Sequence, residues 1–109
     1  MSKFDEFFDA VLEGAKDLAQ EVLQGFITEA GEDTKAFLEK TQADLQRWTD
    51  LLADKKLTEQ DFSDLVLAKK ALSQMHALTQ TGLLLNKIER FRSSLINLII
   101  DKAFDVFIP

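Results

Sequence analysis

Between Phe4 and Leu52 the chain carries an unbroken ladder: Phe4, Phe8, Leu12, Ala15, Ala19, Leu23, Phe26, Ala30, Thr34, Phe37, Thr41, Leu45, Trp48 and Leu52. After the first step the spacing runs 4-3-4-4-3-4-4-3-4-4-3-4, and twelve of the fourteen positions are apolar, the other two threonine. An 11-residue repeat closes about three turns at about 3.67 residues per turn, close to the pitch of a straight α-helix. One face stays aligned throughout, which predicts a long helix A over about 3–54. Its apolar face is wide, because Phe7, Val11, Leu18, Val22, Ile27 and Leu38 flank the ladder. Ser2 can cap it, and Asp5 and Glu6 fall in a first turn where the helix dipole favours acids. The one candidate break is Ala30-Gly31-Glu32-Asp33-Thr34, with Gly31 as a C-cap and Asp33 as a new N-cap. The ladder crosses it without losing phase, so a continuous helix is favoured.

A turn is expected at 54–58. Lys55 and Lys56 suit the end of helix A, where cations offset the dipole. Thr58-Glu59-Gln60-Asp61 resembles a capping box, and Leu57 and Phe62 stand at the two positions of a hydrophobic staple. Helix B then runs over about 58–107. Its apolar set is Leu65, Ala68, Leu72, Met75 and Thr79, then Leu84, Ile88, Phe91, Leu95, Ile99, Ala103 and Val106. The five-residue step from Thr79 to Leu84 shifts the face, so an irregularity is expected at 79–82. Ile96, Ile100, Phe104 and Phe107 lie beside this stripe, making the last helix apolar over most of its circumference. Such a helix sits at the centre of a fold or at a subunit contact. Phe4, Phe7 and Phe8 should meet Phe104 and Phe107 in an aromatic cluster at one pole.

These elements predict an all-α protein in a single domain over 1–109. Folded about the turn as a long antiparallel hairpin with coiled-coil-like spacing, each arm would reach about 75 Å. Two such arms leave apolar surface bare, so the hairpin should dimerise into a four-helix bundle. The alternative is a monomeric up-down four-helix bundle with breaks near Gly31 and Gly82, which the hairpin would bring close together. The residues expected in the core or interface are Phe4, Phe8, Leu12, Leu23, Phe26, Phe37, Leu45, Trp48, Leu52, Phe62, Leu65, Leu72, Leu84, Ile88, Phe91, Leu95, Ile99, Phe104 and Phe107.

Charge adds a direction to the pairing. Residues 1–54 carry 13 acids and 5 bases, and residues 55–109 carry 6 acids and 8 bases. The first half is therefore acidic and the second slightly basic, which favours laying one against the other. The net charge of −6 argues against a nucleic-acid partner. Cysteine is absent, which excludes a disulfide framework and thiolate chemistry and fits a reducing, cytoplasmic setting. The first residues show no secretory h-region, and no uncharged apolar run reaches the length of a membrane span.

Candidate chemistry is sparse. His76 is the only histidine. A di-iron bundle would place Glu three residues before it, and that position is Ser73. The plainer reading is a boundary residue, and no metal or cofactor is expected. The pairs Asp5/Asp9, Asp50/Asp54 and Asp61/Asp64 share helix faces but fall off the ladder, so they read as solvated carboxylates rather than an acid/base couple. Ser93 and Ser94 have no histidine placed near them, and the four glycines form no phosphate loop. No catalytic residue is expected. Trp48 reads as core. Arg47, Lys55, Lys56, Lys69 and Lys70 could gather into a basic patch, the plainer reading being a solvated cap.

The 11-residue period of helix A resembles the amphipathic repeat of lipid-surface proteins such as apolipoprotein-type or droplet-coating helices. That resemblance implies binding of apolar ligands or a lipid surface. Against it, the polar face of helix A is short of the lysines that such surfaces attract. The favoured expectation is a non-enzymatic interaction or scaffold protein that self-associates as a homodimer through apolar helix faces. Leu45→Asp or Leu95→Asp should abolish the cooperative thermal transition followed by circular dichroism, since an unpaired buried charge is costly. A variant that still melts cooperatively near the parent temperature would remove that residue from the core.

Overall fold

The helix that opens at Lys3 stops at Val22, well before the end of the ladder. In a computed structural model describing residues 2–108, the order is α1 (Lys3–Val22), α2 (Ile27–Lys40), α3 (Gln42–Ala53), α4 (Glu59–Ala68), a short 3-10 turn (Lys70–Leu72), α5 (His76–Gln80) and α6 (Leu85–Phe107). The described residues form no strand.

Ser2 caps α1 as its sequence suggests, its Oγ accepting from the Asp5 amide at 3.1 Å. The helix ends where Gln24 and Phe26 adopt φ +57 and Gly25 adopts φ +141. Only glycine enters that last conformation without strain. Helix A is therefore not continuous, and its break lies at 23–26 rather than at Gly31. Gly31 sits inside α2, and an added Cβ there would meet nothing within 4 Å. The ladder keeps phase across the break because Leu23 and Ala30 both face the same core from two helices. Phase alone cannot separate one long helix from a hairpin whose two stripes converge.

At Thr41 the chain bends without reversing. Its amide and its Oγ1 both donate to the Phe37 carbonyl, at 3.0 and 2.9 Å. Thr34 does the same with its hydroxyl to Ala30, at 2.8 Å. Back-bonding of this kind satisfies a buried hydroxyl and bends a helix. It explains how two threonines occupy buried rungs of an apolar ladder.

The 54–58 turn closes by backbone bonds: Lys56 N donates to Leu51 O at 2.9 Å and Lys55 N to Leu52 O at 3.1 Å. This is a Schellman ending, with Lys55 in the left-handed conformation at φ +62. Thr58 Oγ1 then caps α4 by accepting from Asp61 N at 3.0 Å. Helix B is also interrupted, and earlier than 79–82. After α4, buried Ser73 donates its hydroxyl to the Lys70 carbonyl, and a new helix starts at His76. The chain reverses again over Thr81–Leu84, where Gly82 holds φ +81.

Directions follow from the contacts. Phe7 meets Phe107 edge-on at 5.9 Å and Gly14 faces Leu98, so α1 and α6 are antiparallel. A Cβ on Gly14 would come within 2.9 Å of a Leu98 methyl, which records how closely these helices approach. Asp44 of α3 reaches Lys69 after α4, and Asp33 of α2 reaches α5, so the hairpin about the 54–58 turn is present. Both arms then fold back instead of extending to 75 Å. The extents are 43 × 26 × 21 Å and the radius of gyration is 13.6 Å, close to the value of about 13 Å for a compact chain of this length. The long-arm hairpin is thus corrected. The apolar surface that it would leave bare is covered by α1 and α6.

α6 is central, touching α1, α3, α4 and α5. Its buried residues are Ile88, Phe91, Leu95, Ile96, Ile99, Ile100, Ala103 and Phe107. Around it are buried Phe4, Phe7, Val11, Leu23, Phe37, Leu38, Leu45, Trp48, Leu52, Phe62, Val66 and Leu78. Phe8, Leu12, Leu65 and Phe104 are half-buried against this core. The aromatic pole is split: Phe107 reaches Phe7, while Phe104 packs on Phe62 of α4 at 5.9 Å. Three residues expected inside are exposed: Phe26 at 38%, Leu72 at 37% and Leu84 at 64%. Each stands at or beside a break, where the helical period that selected it no longer applies.

Two glycine substitutions separate the broken helix from the continuous one in urea titrations. Gly25→Ala should destabilise by more than about 1 kcal/mol, and Gly31→Ala should stabilise by about 0.5–1 kcal/mol. The opposite signs would place the break at Gly31.

Candidate functional site

Both reversals stand at the same end of the molecule. Thr28, Glu29 and Glu32 of α2 adjoin Ala77, Gln80 and Thr81 around α5, which brings the 23–26 loop alongside the 81–84 turn. From these reversals four large apolar side chains face solvent: Phe26 at 38%, Ile27 at 40%, Leu84 at 64% and Leu85 at 74%. Phe26 is exposed while holding a left-handed backbone, which is rare for a bulky residue. The charges beside them divide by element. Glu21 and Glu29 lie on the α1–α2 side, and Lys87 and Arg90 lie near the start of α6. None of the four takes part in an ion pair among the described residues.

Behind this end, Asp33 is buried and ties α2 to α5. Its Oδ1 accepts from Ala77 N and its Oδ2 from Leu78 N, each at 2.9 Å. Asp33 is a cap, as its residue type suggests, but it serves a helix more than forty residues away in sequence rather than its own. Sequence spacing holds no signal for that, except that a hairpin about position 56 brings residues 33 and 78 near each other.

The cations near the middle are paired. Lys69 Nζ lies 2.8 Å from Asp44 Oδ2, and Arg47 lies 3.0 Å from Asp44 Oδ1. Lys69 and Arg47 also stand 5.7 and 6.0 Å from the Trp48 ring. The hydrogen bond from Lys69 and then the Arg47 guanidinium hold the Asp44 carboxyl below its ordinary range. Lys70 lies 2.8 Å from Glu89, which also pairs with Arg92, and the Lys70 hydrogen bond is the main reason the Glu89 carboxyl is held low. The basic patch suggested for this region does not assemble: Lys69 and Lys70 follow α4, whereas Lys55 and Lys56 precede it.

His76 is exposed at the first turn of α5, its Nε2 sharing a hydrogen bond with Gln74 Oε1 at 2.9 Å. Asp5, Asp9, Asp50, Asp54, Asp61 and Asp64 are all exposed. Among the described residues no group of three or more His, Cys, Asp or Glu converges as a metal site. No helix among them is long and apolar enough to cross a membrane. Comparison with protein-family models, curated proteins and solved structures finds no match to this chain.

Asp33→Ala should cost about 1–3 kcal/mol, because it leaves the buried Leu78 amide and the part-buried Ala77 amide without an acceptor. In hydrogen exchange the Ala77 and Leu78 amides should lose protection before the rest of the fold. Unchanged protection at both would deny Asp33 its capping role.

Proposed function

We propose that this chain is a non-enzymatic helical interaction protein, a homodimer formed through the end that carries Phe26, Ile27, Leu84 and Leu85. Four rods running alternately up and down (α1, α2 with α3, α4 with α5, and α6) make up an up-down four-helix bundle. Its helix faces are spent on its own core, so self-association falls to what remains outside. The observation that carries this reading is that four large apolar side chains face solvent from two reversals that stand at the same end. Isolated surface leucines are ordinary, but grouped ones mark contact sites.

A second copy is the occupant that the charges favour. In a two-fold contact each patch meets itself turned around. The acidic α1–α2 side, with Glu21 and Glu29, would then face Lys87 and Arg90 of the other copy. Such pairs set orientation more than affinity. A patch this small belongs to the weak, reversible class of interfaces. The buried Asp33 and the paired Asp44 and Glu89 support a structural rather than catalytic use of carboxylates.

Light scattering on a sizing column, run over a range of concentrations, tests this. The mass should rise from near 12.4 kDa toward twice that value, and added salt should reverse part of the rise. The double variant Leu84→Asp/Leu85→Asp should stay monomeric and melt no lower than the parent, since both residues are exposed and stand where α6 accepts acids. A parent that remains at monomer mass, or a double variant that associates equally, would refute the proposal.

A further inference from the structure

The opposite end, where the α3–α4 turn meets the last residues of α6, holds a cleft of about 300 Å³. Its apolar lining comes from Leu52, Ala53, Leu57, Phe107 and Ile108. The polar side chains on its rim are Lys55, Thr58 and Glu59. That volume lies at the lower bound of small-molecule sites, which are mostly apolar with a few placed polar groups.

Lys55 is the informative residue. It occupies the position after α3 that helices usually give to glycine, with φ +62. The two hydrogen bonds that close this ending are backbone bonds and need no side chain. A lysine here costs stability that glycine would spare. Lys55 lines the cleft, is exposed, and enters no ion pair among the described residues. Residues held in strained backbone are found at ligand clamps. Beside it, Thr58 Oγ1 takes the Asp61 amide, which leaves the Glu59 and Gln60 amides at the start of α4 without an intrahelical acceptor. Glu59 also stands on the rim, but at the first position of α4, where the helix dipole offsets its charge.

We infer that this cleft binds an amphipathic carboxylate, a medium-chain fatty acid being the simplest, with the alkyl chain against Leu57, Phe107 and Ile108 and the carboxylate at the Lys55 ammonium. Lys55 discriminates by charge, and the apolar lining accepts chains without regard to detail. The site is separate from the self-association surface, so either can fail alone.

Decanoate and decanol, titrated by calorimetry into the whole protein below their aggregation concentrations, are the probes. The parent should bind decanoate about tenfold more tightly than decanol, the difference that one charge-assisted contact supplies. Lys55→Gly should melt at a higher temperature than the parent, yet bind the two probes alike. Ala53→Trp, which fills the cleft from an exposed position, should lose both. The inference is overturned if the parent does not bind decanoate, if Lys55→Gly keeps the preference for it, or if Ala53→Trp still binds both probes.

Discussion

The structure depends on covering α6. Its side chains are apolar over most of the helix circumference, so no single neighbour can shield it from water. Eight of its residues are buried, and they face α1, α3, α4 and α5 in turn. The rest of the chain is arranged to deliver those partners. Two straight arms could not do so, because each would present one face only. The arms therefore fold back at 23–26 and 81–84, and α1 and α6 come to lie side by side. The contact between Gly14 and the end of the Leu98 side chain follows from the same demand, since a larger residue at 14 would require that side chain to shift.

Folding back has to be reconciled with polar groups that the core cannot hydrate. The ladder threonines return their hydroxyls to carbonyls one turn earlier, which also bends the α2–α3 rod at Thr41. The start of α5 borrows both oxygens of Asp33. These bonds give the buried hydroxyls of Thr34 and Thr41 and the carboxylate of Asp33 their partners in a chain with several helix breaks, as buried polar groups require. Strain is concentrated at the chain ends of helices, at Gln24, Phe26 and Lys55. Two of these, Phe26 and Lys55, stand at the surfaces proposed for self-association and for carboxylate binding.

Much of this fold could be read in advance where the signal is local. Ser2 and Thr58 cap the helices that their residue types announce, Leu57 and Phe62 flank the start of α4, and Ile88, Phe91, Leu95, Ile99 and Ala103 of the α6 stripe are buried. What failed was non-local. A periodic ladder does not reveal whether its rungs belong to one helix or two, so the break at Gly25 was hidden by rungs that stayed in phase. Gly31 is the candidate break in a helix that otherwise reads as continuous because Asp33 follows it, but Asp33 serves α5 instead. The exposure of Phe26, Leu72 and Leu84 was unreadable for the same reason: helical period places a residue on a face only while the helix lasts. The exposed apolar end was therefore invisible, since it is made by two reversals that meet only in three dimensions.

Small-angle X-ray scattering, extrapolated to zero concentration so that association does not contribute, tests the folding-back most directly. The account predicts a longest dimension somewhat above the 43 Å backbone extent, enlarged by side chains and the hydration shell, and a radius of gyration a little above 13.6 Å. A longest dimension of about 75 Å would mean that the arms remain extended, and α6 would then have to find its cover in another molecule.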